Sequence, residues 1–355
     1  MNPRFEHDQS ALEAQAAALK IAFGPVVFQC VRIARSSGLL ARLERARDEG
    51  ISVADLAHEL PYSEYALSVL LESCLSAQVV TFADDAYRLG KTGYFVLHDE
   101  MARVNIEFIH DVCYRGLYEL EASLRVEKPI GLHTLGDWPT LYEGLATMPE
   151  PARASWYAFD HLYSDSAFAS LLPLAFARQP QRLMDIGANT GKWAQQCLAY
   201  SSDVSLTLLD LPRQLDVARS NLEHAGFRDR VDYVPIDLLD ESLAFPGDQD
   251  VIWMSQFLNC FSLPKIRSIF RRARAALASD GRVLVLDTFW DRQQHDVSAY
   301  CLINTSPYFT AIASGNSKMY RAEDYIRCAR AEGLSLLDIR DGLGICSSLL
   351  TFEAA

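Results

Sequence analysis

Three aspartates stand at the ends of short apolar runs, spaced as at the ligand edge of a nucleotide-binding sheet. Asp185 sits in Arg182-Leu183-Met184-Asp185-Ile186-Gly187-Ala188-Asn189-Thr190-Gly191, which reads as a buried strand, a glycine turn and a helix starting near Lys192. Glycine carries no Cβ and adopts positive φ, so this turn brings backbone close to a ligand, and the next helix turns unpaired N–H groups the same way. Asn189 stands where such loops often carry another glycine, and Asn is the non-glycine residue that best tolerates left-handed backbone. Asp210 ends the run 204–209, at roughly the 20-residue interval past Gly187 where a second-strand carboxylate meets ribose hydroxyls. Asp237 ends the run 231–236, and the pair Asp237-Leu238 suits one edge and one face of an adenine. The ligand implied is an adenosine compound. The loop lacks the second glycine of G-x-G-x-x-G, and no G-x-x-x-x-G-K-[ST] is present, which lowers the case for NAD and ATP.

The elements that position these acids follow from the same pattern. Runs at 250–255 and 282–287 read as further strands, 263–278 and 321–332 as helices, and 334–340 with 345–353 as two strands joined by Asp341-Gly342-Leu343-Gly344. Strands alternating with helices make a doubly wound α/β sheet, mostly parallel, and the terminal hairpin adds an antiparallel strand. Ligands bind outside the carboxyl ends of such strands, where Gly187, Asp210, Asp237 and Ser255 all fall.

Ahead of that sheet, residues 10–47 read as two or three helices interrupted at Gly24-Pro25 and at Gly38, apolar on more than one face. Residues 51–80 read as a helix-turn-helix broken at Leu60-Pro61, with Ser63 capping the second helix. Residues 81–89 form a hairpin, the wing. The helix 64–76 contains no Lys or Arg and the wing tip is Asp84-Asp85, so this copy is structural rather than DNA-binding. Residues 101–175 are helical and rich in aromatics, most of them core.

Composition bounds the partners. The 355 residues carry a formal net charge of −13, with 50% hydrophobic and 22% charged residues, an ordinary globular balance with room for two domains. That charge argues against nucleic acid and anionic membrane. The eight cysteines are scattered without a C-x-x-C pair, which suggests free thiols, no metal site and a cytoplasmic protein. The N-terminus is polar with no hydrophobic signal core, and no apolar run approaches membrane-spanning length.

With Asp185-Ile186-Gly187, the Asp210-Leu211-Pro212 that opens Asp-Leu-Pro-x-x-x-x-x-Ala, and 250–262 on the page, residues 182–353 resemble the catalytic domain of class I S-adenosylmethionine-dependent methyltransferases. The whole chain resembles the small-molecule O-methyltransferase branch, which carries a dimerising winged-helix domain in front. The resemblance implies a Rossmann-like methyltransferase sheet, a winged-helix-like dimerisation domain over 1–100, a helical lid over 101–175 and a cofactor-binding catalytic domain over 176–355. It also implies a homodimer and S-adenosylmethionine as cofactor. Asp185, Gly187, Asn189 and Gly191 would hold the methionine end, Asp210 and Leu211 the ribose, Asp237 and Leu238 the adenine, with Ser255 beside them. His161, Tyr163, Gln256, Tyr300 and Asn304, with Tyr308 and Phe309, would face a small aromatic, phenolic acceptor, free or carrier-tethered.

The chemistry departs from that branch. Its members carry His-Asp after the fourth strand, where the His takes the phenol proton; this chain has Asn259-Cys260 there, and Asn is not a base. A phenol of pKa about 10 is only about one part in a thousand ionised at pH 7, and a positioned base typically returns about 10²–10⁴-fold. Three readings stay open: an acceptor already acidic, a substitute base, or attack from a ring carbon ortho to the phenol. The candidate substitutes are His295 with Asp296, His161 with Asp160 and His110 with Asp111, of which His295 with Asp296 is the best placed. The stretch 254–262 also resembles methyltransferases encoded beside aryl-polyene pigment pathways in secondary metabolism, which would favour ring C-methylation of a 4-hydroxyphenyl unit with Asn259 orienting its oxygen. Competing classes are an inactive relative serving as a binding or scaffold protein, and a regulator using the helix-turn-helix.

Overall fold

The computed structural model describes residues 9–355, except for the side chains of 164 and 165; the polar start of the chain lies outside the described residues. Two compact units divide it, the first ending at Ile109 and the second running His110–Ala355.

In the first unit, Ser10 caps the helix Ala11–Ser36 by accepting the Glu13 N–H, while Glu13 reaches back to the Ser10 N–H. The helix runs straight through the expected break at Gly24-Pro25. Proline removes one hydrogen bond and crowds the carbonyl four residues back, costing about 3 kcal/mol, but the capped turn before it and the packing of Cys30, Val31, Ile33 and Ala34 after it keep both sides helical. The chain breaks instead at Gly38, at φ +81°. This helix also corrects the expectation about membrane-spanning length: it is long and apolar enough by length and composition. Helices Val53–Glu59 and Glu64–Ser76 follow, each capped by a serine whose hydroxyl accepts a backbone N–H, Ser52 from Asp55 and Ser63 from Ala66. The wing is the antiparallel pair β1 (Val80–Ala83) and β2 (Ala86–Leu89). Asp84 and Asp85 turn it at φ +53° and +57°, the mirror-image turn that matches strand twist. Leu39, Leu43, Leu56, Leu67 and Leu71 fill the core of this unit.

The second unit is built on seven strands: β3 (Arg182–Ile186), β4 (Ser205–Asp210), β5 (Val231–Pro235), β6 (Gln249–Ser255), β7 (Leu277–Asp287), β8 (Leu334–Leu343) and β9 (Ser347–Ala354). Their order is β5-β4-β3-β6-β7-β9-β8. The first five are parallel, and β9 runs antiparallel between β7 and β8. Strand β7 starts earlier than the apolar run suggested, because Leu277 pairs with Gln249 across a register shift. Side chains alternate between two covered faces, Met184 and Ile186 on one and Leu183 on the other, as strand geometry requires. On the second face Trp193 and Trp253 stack at 4.1 Å. The order reverses between β3 and β6, which places a crevice at their carboxyl ends.

Candidate active site

That crevice is a cavity of about 770 Å³, within the range of ligand sites. Asp185, Gly187, Asn189, Asp210, Leu211, Asp237, Leu238 and Ser255 all line it. Gly191 does not; at φ +77° it starts the helix Lys192–Tyr200 and packs toward Ala218. Gly187 stands at φ +76°, and a Cβ there would lie 2.3 Å from the Phe257 ring. Asn189 takes the left-handed backbone anticipated for it, at φ +48°. Its N–H donates to Asp210 Oδ2 at 2.8 Å, and Asp210 Oδ1 accepts the Leu211 N–H at 2.7 Å.

Burial sets the charge state of these acids. It pushes Asp185 up to about 8, helped by the neighbouring charge of Asp210. Asp210 rises to about 6, because its two backbone N–H donors offset part of the desolvation. Asp185 Oδ2, Asn189 Oδ1, Ser255 Oγ and Gln256 Nε2 are buried without a hydrogen-bond partner among the described residues. Each such group costs about 1–3 kcal/mol when unsatisfied. Four of them on one cavity wall, acceptors and donors together, fit a ligand carrying both ammonium or hydroxyl donors and polar acceptors. Gln256 is also held at φ +45°, a strained backbone of the kind that clusters at ligand sites.

A second, smaller cavity of about 60 Å³ adjoins the first. Tyr142, Trp156, Phe159, Tyr163, Tyr308 and Phe309 form its aromatic walls, and Trp156 Nε1 donates to the Tyr308 hydroxyl at 2.7 Å. Tyr142, Trp156, Asp160, Gln256 and Cys260 line both cavities, so the two share a wall. His161 lines the larger one, its ring stacked on Tyr157 with centroids 6.0 Å apart.

Three anticipated site residues stand elsewhere. His295 is exposed at the start of helix Asp296–Tyr308 and reaches neither cavity. Tyr300 is 61% exposed, and Asn304 donates to the Tyr300 carbonyl on the same outward stripe. The cavity-facing stripe of that helix is Leu302, Thr305 and Tyr308. Residues four apart share a helix face, so the packing that turns 302, 305 and 308 inward turns 300 and 304 out. His110 is also engaged: its Nδ1 meets Asp111 at 2.7 Å, and Asp111 accepts the Ser155 hydroxyl at 2.6 Å.

Asn259 does line the smaller cavity, but both ends of its amide are engaged inside the protein. Its Nδ2 donates to Asp287 Oδ1 at 3.1 Å, and its Oδ1 receives the Cys260 thiol at 3.5 Å. Asp287 also accepts the Tyr325 hydroxyl at 2.9 Å and the Thr288 N–H at 2.8 Å, and burial lifts it to about 7. Sequence reasoning missed Asp287, although it ends the apolar run 282–286 just as Asp210 ends its own. It also missed the bond from Asn189 Nδ2 to Asp160 Oδ2, at 2.9 Å.

Comparison with known proteins agrees with this architecture. Residues 15–87 match the Dimerisation2-like domain and residues 167–335 match the O-methyltransferase domain. The chain is 23% identical over 309 residues to the L-tyrosine C(3)-methyltransferase of Streptomyces lavendulae, covering 86% of this chain and 82% of that protein. It is 21% identical over 314 residues to the bacteriochlorophyllide d C-20 methyltransferase of Chlorobaculum tepidum, covering 84% and 86%. The apo crystal structure of the S-adenosylmethionine-dependent methyltransferase SibL shares the fold, with a TM-score of 0.72, 22% identity and coverage of 96% and 99%. With a Dimerisation2-like domain in front and an O-methyltransferase domain carried on the seven-stranded sheet behind, the chain is an S-adenosylmethionine-dependent methyltransferase.

Proposed function

We propose that this methyltransferase places a methyl group on a small phenolic acceptor, held beside the cofactor where the aromatic cavity adjoins the larger one. The observation that carries this reading is the shared lining: a polar cavity of nucleotide size adjoins an aromatic-walled one, and Asp160, Gln256 and Cys260 line both. S-adenosylmethionine supplies a methyl on a positively charged sulfur, which makes that carbon electrophilic. Asp210 would accept the ribose hydroxyls, Asp237 and Leu238 would take the adenine, and Asp185, Asn189 and the Gly187 turn would meet the methionine end. The protein's part is alignment, which converts a bimolecular step into an effectively unimolecular one.

Both the phenol oxygen and the ring carbon beside it are chemically competent nucleophiles. The carbon is favoured by Asn259 at the position of the branch's usual base, and by relatives named for carbon methylation. The resemblance at 254–262 extends this to a 4-hydroxyphenyl unit such as an aryl-polyene head group, in secondary metabolism. A homodimer formed through the first unit and a cytoplasmic location complete the reading; the free cysteines support the location.

The test is incubation with methyl-labelled S-adenosylmethionine and a panel of phenols, catechols and 4-hydroxyphenyl compounds, read by mass and NMR. We expect one labelled aromatic methyl, on the ring carbon beside the hydroxyl or on its oxygen. Cofactor binding by calorimetry with no transfer to any acceptor would overturn the reading in favour of a binding protein.

A further inference from the structure

The smaller cavity presents a proton problem that its expected residue does not solve. Asn259 is an amide engaged by Asp287 and Cys260. Among the described residues no Lys, Arg or His lines the cavity, so no cation there lowers the pKa of a bound phenol. Thr288, Thr305 and Gln256 are not bases. Burial keeps the Tyr142 and Tyr308 hydroxyls and the Cys260 thiol protonated, with the charge of Asp160 acting in the same direction. Tyr163 is a phenol like the acceptor itself.

One lining group remains. We propose that Asp160 is the catalytic base, placed by Asn189 at the junction of the two cavities to take the acceptor's phenolic proton. This rests on the phenolic reading above. Three observations carry it. Among the described residues Asp160 is the only carboxylate lining the smaller cavity, and it lines the larger one as well, so it stands where the methyl passes from cofactor to acceptor. Its Oδ2 accepts the Asn189 amide at 2.9 Å. Asn189 is in turn fixed through its N–H to Asp210, so the base and the cofactor loop are tied into one unit.

The step balances. The phenol O–H bond breaks and its proton moves to the Asp160 carboxylate. The freed electron pair forms the new bond to the methyl carbon, whose bond to sulfur breaks with its pair left on sulfur as a neutral thioether. For attack from the ortho carbon, Asp160 returns its proton to the oxygen while the ring C–H proton leaves to water, restoring the phenol.

The experiment compares wild type with Asp160→Asn and Asp160→Glu on 4-methylphenol and on 4-nitrophenol, which unlike 4-methylphenol is substantially ionised already near neutral pH. S-adenosylhomocysteine affinity is measured on all three by calorimetry. We expect Asp160→Asn to lower kcat roughly 10²–10⁴-fold on 4-methylphenol and less than about tenfold on 4-nitrophenol, the range that a lost base predicts. Asp160→Glu recovers part of the 4-methylphenol rate, and S-adenosylhomocysteine affinity changes far less than that rate in both variants. Equal losses on the two phenols, or weakened S-adenosylhomocysteine binding that accounts for the loss, would show that Asp160 only holds the loop and would overturn the proposal. Wild-type rates in Asp160→Asn would overturn it too. If wild type binds S-adenosylhomocysteine but methylates neither phenol, the phenolic reading falls and takes this proposal with it.

Discussion

At the scale of single residues, the cofactor cavity depends on carboxylates whose charge is costly to keep. Asp210 is proposed to accept hydroxyl donors, which requires the ionised, acceptor-only form. Burial holds it at about 6, so protonation sets in as the pH falls toward that value and replaces one acceptor with a donor. Affinity for S-adenosylhomocysteine is therefore expected to fall, relative to its value at about pH 7, by up to about tenfold per unit below about pH 6. Asp210→Asn, which has no such proton to gain, flattens that dependence while binding more weakly throughout. Calorimetry at several pH values checks both; a wild-type affinity unchanged down to pH 5 contradicts the ribose assignment.

At the scale of elements, the turn after β3 is the tightest point. Gly187 carries φ +76° with Phe257 against it, and left-handed backbone costs an L-residue roughly 1–2 kcal/mol. Gly187→Ala therefore combines that strain with a clash that displaces Phe257, which itself lines the cofactor cavity. The expected outcome is a loss of about 2 kcal/mol or more in denaturant titration, with weakened S-adenosylhomocysteine binding. A variant of wild-type stability and affinity would contradict the crowding at this turn. Helix Asp296–Tyr308 teaches a different point. Its sequence offers polar and aromatic groups on both sides, and which stripe meets the cavity follows from how the whole helix packs, as Leu302 and Tyr300 illustrate.

At the scale of the whole molecule, helix Ala11–Ser36 exposes Leu12, Leu19, Ile21, Phe23 and Val26. Exposed apolar surface on this scale marks an interaction site, and the match of residues 15–87 to the Dimerisation2-like domain suggests a second copy as its partner. Ile21 is 78% exposed and Phe23 61%, so replacing both with Glu leaves the core of the unit untouched. The double variant Ile21→Glu/Phe23→Glu is expected to sediment as a monomer where wild type sediments as a dimer, with unchanged helical content. A dimer that persists in the variant would move the interface elsewhere.

The sequence by itself determined the sheet, the order of its elements and most of the acids and turn residues that line the larger cavity. Strands buried on both faces read as continuous apolar runs, and the acids at their ends stand out because the signal is local: strand, turn and helix are neighbours in the chain. Asp185, Asp210 and Asp237 were legible for that reason, and so was the capped helix after Ser63. What remained hidden depends on residues distant in the chain. Nothing near Pro25 announces that packing three turns later keeps its helix whole, and nothing near Asn259 shows that Asp287 has engaged its amide. His295 looked well placed at a strand end, but the tertiary structure leaves it in solvent. The tie between Asn189 and Asp160 joins a loop to a helix that precedes the sheet. Only the tertiary structure decided these points, because the burial of a polar group and the partner it finds are set by which elements pack together, and local periodicity carries no record of that.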